Sequence, residues 1–274
     1  MVPSLRYSQT HYEDVLTANV RSGVRWLDLG CGHQILPTWR FDQEKRLTET
    51  CAFVVGIDPD GNSLKNHRSI RNLVQGDASA LPFAPDSFDL VTANMVVEHL
   101  EDPTQVFQEV HRVLSPRGRF IFHTPNVRGY VTKLGRALPE KWKMALIGML
   151  EGRRGEDVFR TYYLANEEKE ITRLAQSTGF VPFEIQFIAT SAEFGIILPL
   201  AVLELLWIKL LLKTPFQHWR TNLIVTLQKS AGRTPAFQRS PLALSNRRAP
   251  LVQSADVQQI DTNCGKLNSS GETR

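Results

Sequence analysis

The stretch WLDLGCGHQ, Trp26–Gln34, ends an apolar run in Asp28 and then places glycines at 30 and 32. Residues without a Cβ let the backbone turn sharply and approach a ligand closely, and amides at the start of a following helix receive an anionic group. Asp58 in VVGIDPD, Asp77 in QGDASALPF and Asp89 in DSFDLV stand beside further apolar runs. A carboxylate at such a strand end accepts hydrogen bonds from both hydroxyls of a ribose. Each acid taken singly is an ordinary solvated loop residue; arriving in register, they outline a binding edge. Glu98 and His99 in VVEHLEDP offer proton-transfer chemistry, and the same pair suits a turn that packs and caps locally.

These residues need a scaffold that brings strand ends together, and the apolar patterning supplies one. Val24–Leu29, Ala52–Ile57, Asn72–Gln75, Phe88–Ala93 and Arg119–His123 read as buried strands. Between the last two, PTQVFQEVHRVL carries Val106, Phe107, Val110, Val113 and Leu114 at helical spacing, with Pro103 at its start and Pro116 and Gly118 beyond it. A second helix is expected from Asn166 as N-cap, with Glu167 and Glu168 in its first turn and Gly179 as its stop. Strands at Val181–Ile188 and in TNLIVTLQK follow. The repeated β-α-β order predicts an α/β fold, a Rossmann-like, doubly wound, mostly parallel seven-stranded sheet with helical insertions near the substrate site. In such sheets ligands sit outside the carboxyl ends of the strands, where the strand order switches.

With 274 residues the chain is long enough for a sizeable core. Its net charge of +4 is local: from Lys229 onward there are seven Lys/Arg against three Asp/Glu, which leaves 25 of each in the remainder. The folded part therefore gives no electrostatic case for nucleic acid. Cys31, Cys51 and Cys264 are far apart and form no CxxC pair, so neither a disulfide framework nor a zinc site is indicated. The first twenty residues contain Arg6, Glu13 and Asp14 and no continuous apolar core, which argues against a secretory signal and for a cytoplasmic protein. Residues 1–229 are assigned to one domain, with its cofactor-binding core at about 22–126 and insertions at 127–160 and 194–213; residues 230–274, rich in Ser, Arg, Gln, Asn and Pro, are read as a disordered tail.

VRWLDLGCG, VVGIDPD, GDASALPFAPDSFDLV, EHLEDP and EVHRVLSPRGRFIFHTPN, taken in order, resemble the successive motifs of class I S-adenosylmethionine-dependent methyltransferases, in the small-molecule branch that includes the ubiquinone- and menaquinone-pathway enzymes. The resemblance spans about residues 22–126 and continues more weakly through YYLANEEKEITRLAQSTGF. It implies S-adenosylmethionine as cofactor. It further implies that Asp28, Gly30 and Gly32 hold the methionine moiety, that Asp58 binds the ribose, that Asp77 and the backbone at Ala78 read the adenine edge, and that Asn94 lines the methyl-transfer cleft. Many members read DLGCGTG where this chain has His33 and Gln34, and Pro37 breaks what would be the first helix. Some quinone-pathway relatives complete a metal-binding trio with a Glu at the position of Met95, so no metal is expected.

Methyl transfer from a sulfonium needs mainly positioning and desolvation, and a general base matters if the acceptor is a hydroxyl. Glu98 and His99 are the candidates for that role, and Tyr162 and Tyr163 stand where they either face the substrate or pack. FGIILPLAVLELLWIKLLLK is interrupted by Pro199, Glu204 and Lys209 and is too short after Pro199 to span a bilayer. It is read as a lid over the acceptor site or as a helix lying in a membrane interface, and EKWKMALIGML, with Trp142, Leu146 and Met149, joins it. The expected acceptor is a small, amphiphilic or lipid-linked molecule. Two rivals remain: a nicotinamide-dependent oxidoreductase, weakened because Ile35 stands where the dinucleotide fingerprint requires glycine or alanine, and a non-catalytic binding protein of the same fold.

Overall fold

Among the described residues, seven strands form one sheet in the order β3-β2-β1-β4-β5-β7-β6. A computed structural model describes residues 5–137, 160–190 and 198–231. Most of the 127–160 insertion, with Trp142, Leu146 and Met149, and nearly all of the expected 230–274 tail lie outside the described residues. The strands are β1 (Arg25–Leu29), β2 (Phe53–Asp58), β3 (Asn72–Gln75), β4 (Phe88–Asn94), β5 (Leu114–Pro125), β6 (Phe180–Ile188) and β7 (Asn222–Lys229). β1 to β5 pair in parallel, and β7 runs antiparallel to both β5 and β6. The chain winds outward from β1 to β3 and returns to β4 on the other side of β1, so the switch in strand order falls between β1 and β4.

Successive side chains of the central strands enter two different cores, which is why these strands read as unbroken apolar runs. Leu27, Val91 and Phe120 face α4 (Pro103–Val113) and α6 (Glu168–Ser177), packing with Phe107, Val110, Ile171 and Leu174. Their neighbours Trp26, Leu90 and Ile121 face the opposite way, against Tyr12 and Leu16 of α1 (Ser8–Asn19), Leu47 of α2 (Phe41–Thr50) and Leu64 of α3 (Gly61–Lys65). Buried Trp26 donates its indole N–H to Thr92 Oγ1 at 2.7 Å, so the largest side chain of the core leaves no polar atom unpaired.

Helix α4 starts as its sequence demands. Asp102 caps it by accepting the Gln105 amide at 3.1 Å, and Pro103 occupies the first turn, where a missing N–H costs nothing. Helix α6 begins one residue later than expected. Glu167, not Asn166, holds the cap position, because the buried Asn166 side chain is drawn away: its amide donates to Thr124 Oγ1 at 2.6 Å and to the Pro125 carbonyl at 3.2 Å. Gly179, at φ +87°, ends that helix. Strand β5 starts at Leu114, earlier than the expected Arg119, because Leu114 already pairs with Phe88 across an irregularity in the ladder.

Two further helices lie at the carboxyl edge of β5: α5 (Tyr130–Ala137) and α7 (Leu198–Leu211), the described part of the apolar insertion. A 3-10 turn, Thr214–Trp219, leads from α7 into β7. Among the described residues no helix is long and apolar enough to cross a membrane.

Candidate active site

At the end of β1 the backbone turns through Gly30 and Gly32, both in the left-handed region at φ +57° and +52°. A Cβ at Gly30 would come within 2.5 Å of Val96 Cγ2, whereas one at Gly32 would meet nothing within 4 Å. The first glycine therefore answers to packing and backbone conformation together. The second answers to backbone conformation and leaves open space above the strand ends.

No helix follows this turn directly, which corrects the expectation of helix amides beside it. Pro37 supplies no N–H and disfavours helix in the residue before it, and α2 begins only at Phe41. The intervening loop is tied down by Glu44 and Arg68 instead. The fully buried Glu44 carboxylate accepts the Leu36 amide at 2.8 Å, Arg68 Nη2 at 2.9 Å and Ser69 Oγ at 2.5 Å, while Arg68 also donates to the Leu36 carbonyl at 2.7 Å. The sequence reading missed both residues. The only local signal was an acid on the buried side of α2, and its partner lies 24 positions away.

Asp58 closes the turn from the side. Its Oδ2 accepts the Gly32 amide and its Oδ1 the Asp60 amide, both at 2.8 Å. Each oxygen spends one lone pair on the loop and keeps capacity for another donor. Asp77 lies past β3, exposed, with Oδ1 accepting the Ser79 amide at 2.7 Å, and Ala78 packs at the margin of the core. Asp89 does not belong to this group. It stands at the amino end of β4, on the opposite edge of the sheet, where it binds Arg25 through the guanidinium at 2.8 and 3.0 Å.

Asp28 is almost fully buried and hydrogen-bonded by Thr92 Oγ1. Burial, reinforced by the charges of Glu44 and Asp58, raises its pKa to about 7, although the Thr92 hydroxyl works in the other direction. An ammonium or sulfonium cation placed nearby would favour the carboxylate, so this buried acid is suited to a cationic ligand.

Asn94, at the end of β4, is engaged on every side. Its Nδ2 donates to Gln9 Oε1 at 2.9 Å and to the Ile35 carbonyl at 3.1 Å, and its Oδ1 receives Gln9 Nε2 at 3.3 Å and His123 Nδ1 at 2.9 Å. His123 in turn accepts from Asn222 Nδ2 at 2.9 Å. Burial lowers the His123 pKa to about 3, so it stays neutral with its proton on Nδ1. Asn94 thus fastens α1 and β5 to the strand end.

Glu98 and His99 part company. The Glu98 carboxylate is buried against Thr124 Oγ1 at 3.0 Å, burial raises its pKa, and its carbonyl receives the amides of Tyr162 and Tyr163 at 2.8 and 3.2 Å. His99 is half-buried, and its Nδ1 lies 2.9 Å from the Arg160 carbonyl, which fixes the proton on Nδ1 in the neutral ring and leaves the lone pair on Nε2. Tyr162 Oη bonds Glu101, away from Glu98. Met95 stands at the intervening position with φ +58°, and among the described residues no group of His, Cys, Asp or Glu is arranged to hold a metal.

The strand ends of β1, β2 and β4 thus bring Gly30 and Gly32 together with the buried acids Asp28 and Asp58, with open space beside Gly32. That arrangement fits a cationic nucleoside ligand such as S-adenosylmethionine: Gly32 leaves room, Asp58 retains acceptor capacity for hydroxyls and Asp28 favours a positive charge. Comparison with known proteins agrees. Residues 27–122 match the family of methyltransferase domains. A demethylmenaquinone methyltransferase of Staphylococcus aureus is 29% identical over 177 residues, which is 61% of this chain and 72% of that protein. An S-adenosylmethionine-dependent methyltransferase from Mesorhizobium loti superposes with a TM-score of 0.51 at 18% identity, covering 81% of this chain and 98% of the other. The cyclase SpnF superposes with a TM-score of 0.52 at 17% identity, covering 81% and 82%. At such identities the two solved structures establish the fold; SpnF illustrates that the fold alone does not fix the reaction.

Proposed function

We propose that this chain is a class I S-adenosylmethionine-dependent methyltransferase and that it methylates a small amphiphilic or lipid-linked acceptor. The observation that carries this reading is the apolar surface at the carboxyl edge of β5, where Leu134, Leu203, Leu206 and Trp219 are all exposed. The similarity to a demethylmenaquinone methyltransferase, whose named substrate is a quinone, supports the same class.

Asp28, Gly30 and Gly32 hold the methionine moiety, Asp58 takes the ribose hydroxyls, and Asp77 with the Ala78 backbone meets the adenine edge. Asn94 forms a wall of the transfer cleft by fixing α1 over the strand ends. The cofactor supplies a methyl group already activated on a positive sulfur. An electron pair of the acceptor would receive that methyl group, with S-adenosylhomocysteine as the departing product. The protein's share is alignment and exclusion of water. If the acceptor is a hydroxyl, His99 Nε2 takes the proton. Glu98, whose pKa burial raises, maintains the turn that presents His99. The described part of the apolar insertion, 198–213, forms the acceptor lid or rests on a membrane surface.

The test is incubation of the purified protein with isotopically labelled methyl donor and fractionated cell extract. Label should appear in small molecules that partition into organic solvent. Label confined to protein or nucleic acid would overturn the acceptor class.

A further inference from the structure

Helices α5 and α7 and the Thr214–Trp219 turn border an open, solvent-facing pocket of about 460 Å³ lined by Arg128, Tyr130, Lys133, Leu134, Trp207 and Trp219. Two of its walls are indoles, Trp207 and Trp219, with centroids 5.9 Å apart and planes inclined by 32°. Lys133 Nζ sits 5.7 Å from the centre of the Trp219 ring. Arg128 stands at the mouth, paired with Glu167 at 3.3 Å. The cavity is built of aromatic bodies with cationic tips, the combination that suits the polar–apolar boundary of a bilayer.

The surface beside it continues the pattern. Helix α7 turns Glu204, Ile208 and Leu211 inward, and the buried Glu204 carboxylate accepts the Tyr130 hydroxyl at 2.8 Å. Its outer face carries Leu203 at 63% exposure and Leu206 at 61%. Leu203, Leu206, Trp207 and Leu210 lie three and four residues apart, so this stripe runs directly into the cavity wall. Lys209 and Lys213 are exposed on the same helix end. A wholly soluble face would not carry this apolar area, and a face docked to a neutral partner would not need the lysines.

We propose that this face docks on an acidic lipid bilayer, with the anionic head group of one lipid held at Lys133 and Arg128 and its chain lying along the outer faces of Trp207 and Trp219. The placement serves catalysis: α5 leaves the carboxyl end of β5, and the Thr214–Trp219 turn enters β7 at Asn222, which pairs with Pro125. The docking face therefore shares the sheet edge that carries Gly30, Gly32 and Asp58, and a lipid-borne acceptor reaches the transfer cleft without crossing water. The inference rests on the reading of the acceptor as amphiphilic, yet its test does not depend on methyl transfer.

Vesicle flotation with the full chain decides it. The protein should float with phosphatidylcholine vesicles containing phosphatidylglycerol and stay behind with phosphatidylcholine alone, and added salt should weaken the association. Lys133→Glu and Trp219→Ala should each lower partitioning by about tenfold or more, while calorimetric binding of S-adenosylhomocysteine is unchanged, which also certifies that the variants are folded. Should either variant lose cofactor binding, Lys133→Gln, at an exposed site, replaces it. Brominated lipids should quench tryptophan fluorescence in the wild type and less in Trp219→Phe. Equal binding to neutral and acidic vesicles, binding undiminished in the Lys133 variants, or no flotation at all would overturn the proposal. A concentration-dependent dimer abolished by Leu206→Glu would instead assign the face to a second copy of the chain. Absent flotation together with organic-soluble methylated product would refute the docking while leaving the proposed acceptor class intact.

Discussion

Asp28 carries the sharpest consequence at the scale of single residues. Burial places its pKa at about 7, so in the ligand-free protein the side chain is largely protonated below that pH and charged above it. A bound ammonium stabilises the carboxylate, so binding below pH 7 must expel a proton. The sign follows: cofactor affinity should fall as pH drops through about 7, approaching tenfold per pH unit, and level off above it. Calorimetry in two buffers of different ionisation enthalpy should show proton release near pH 6 that vanishes in Asp28→Asn. Affinity independent of pH between 5.5 and 8, an interval chosen to bracket that titration, would place the cation elsewhere. The two glycines and the acid at 58 were chosen from type and spacing, because close backbone approach and hydroxyl recognition restrict which residues can serve, whereas Asp28 entered through the resemblance. Asp89 was grouped with the strand-end acids although it stands at the start of the Phe88–Ala93 run; the structure pairs it with Arg25 at that amino edge, away from the others.

At the scale of elements, the loop between β1 and α2 is held by a buried ion pair instead of a helix. Glu44 has no exposed side-chain surface, and Arg68 covers it. Removing one partner strands the other charge in the interior, so Arg68→Ala should cost about 3–5 kcal/mol, measured by chemical denaturation, and should weaken cofactor binding by loosening Leu36 and Pro37. A loss below about 1 kcal/mol would mean that the pair behaves as a surface bridge. Helix α7 offers the contrasting case. Leu203→Glu with Leu206→Glu falls on the exposed face and should leave the melting temperature and cofactor affinity nearly unchanged, whereas Ile208→Ala, at 1% exposure, should cost about 2–5 kcal/mol. An unfolded double variant would show that the outer stripe is covered. The strands and α4 could be read from sequence since their patterns are local. Helix α1 escaped because it buries only Ser8, Tyr12, Glu13 and Leu16 along its length, too sparse an apolar stripe to announce itself. Asn166 looked like a cap by type, and the pull of Thr124, 42 positions away, was invisible.

The molecule as a whole is a doubly wound sheet with its proposed cofactor site at the β1/β4 switch and an apolar, lysine-edged face on the same rim beyond β5. The doubly wound order was legible because strands covered on both faces must be apolar throughout, as Trp26 and Leu27 show by entering opposite cores. The pocket beside Trp207 and Trp219 was not, since it joins three segments that have no pattern in common. The proposed chemistry depends on a cofactor bound above Gly30, Gly32 and Asp58, and that binding can be measured directly. Isothermal titration of the wild type with S-adenosylhomocysteine should show one site per chain, and reduced nicotinamide dinucleotide should show none. Asp58→Ala should lose about 2–4 kcal/mol of that binding, part of it through release of the Gly32 amide that Asp58 now holds, while Asp58→Asn, which keeps one acceptor oxygen, should lose less. Wild-type affinity in Asp58→Ala, or preferential binding of the dinucleotide, would contradict the placement of the cofactor at this edge.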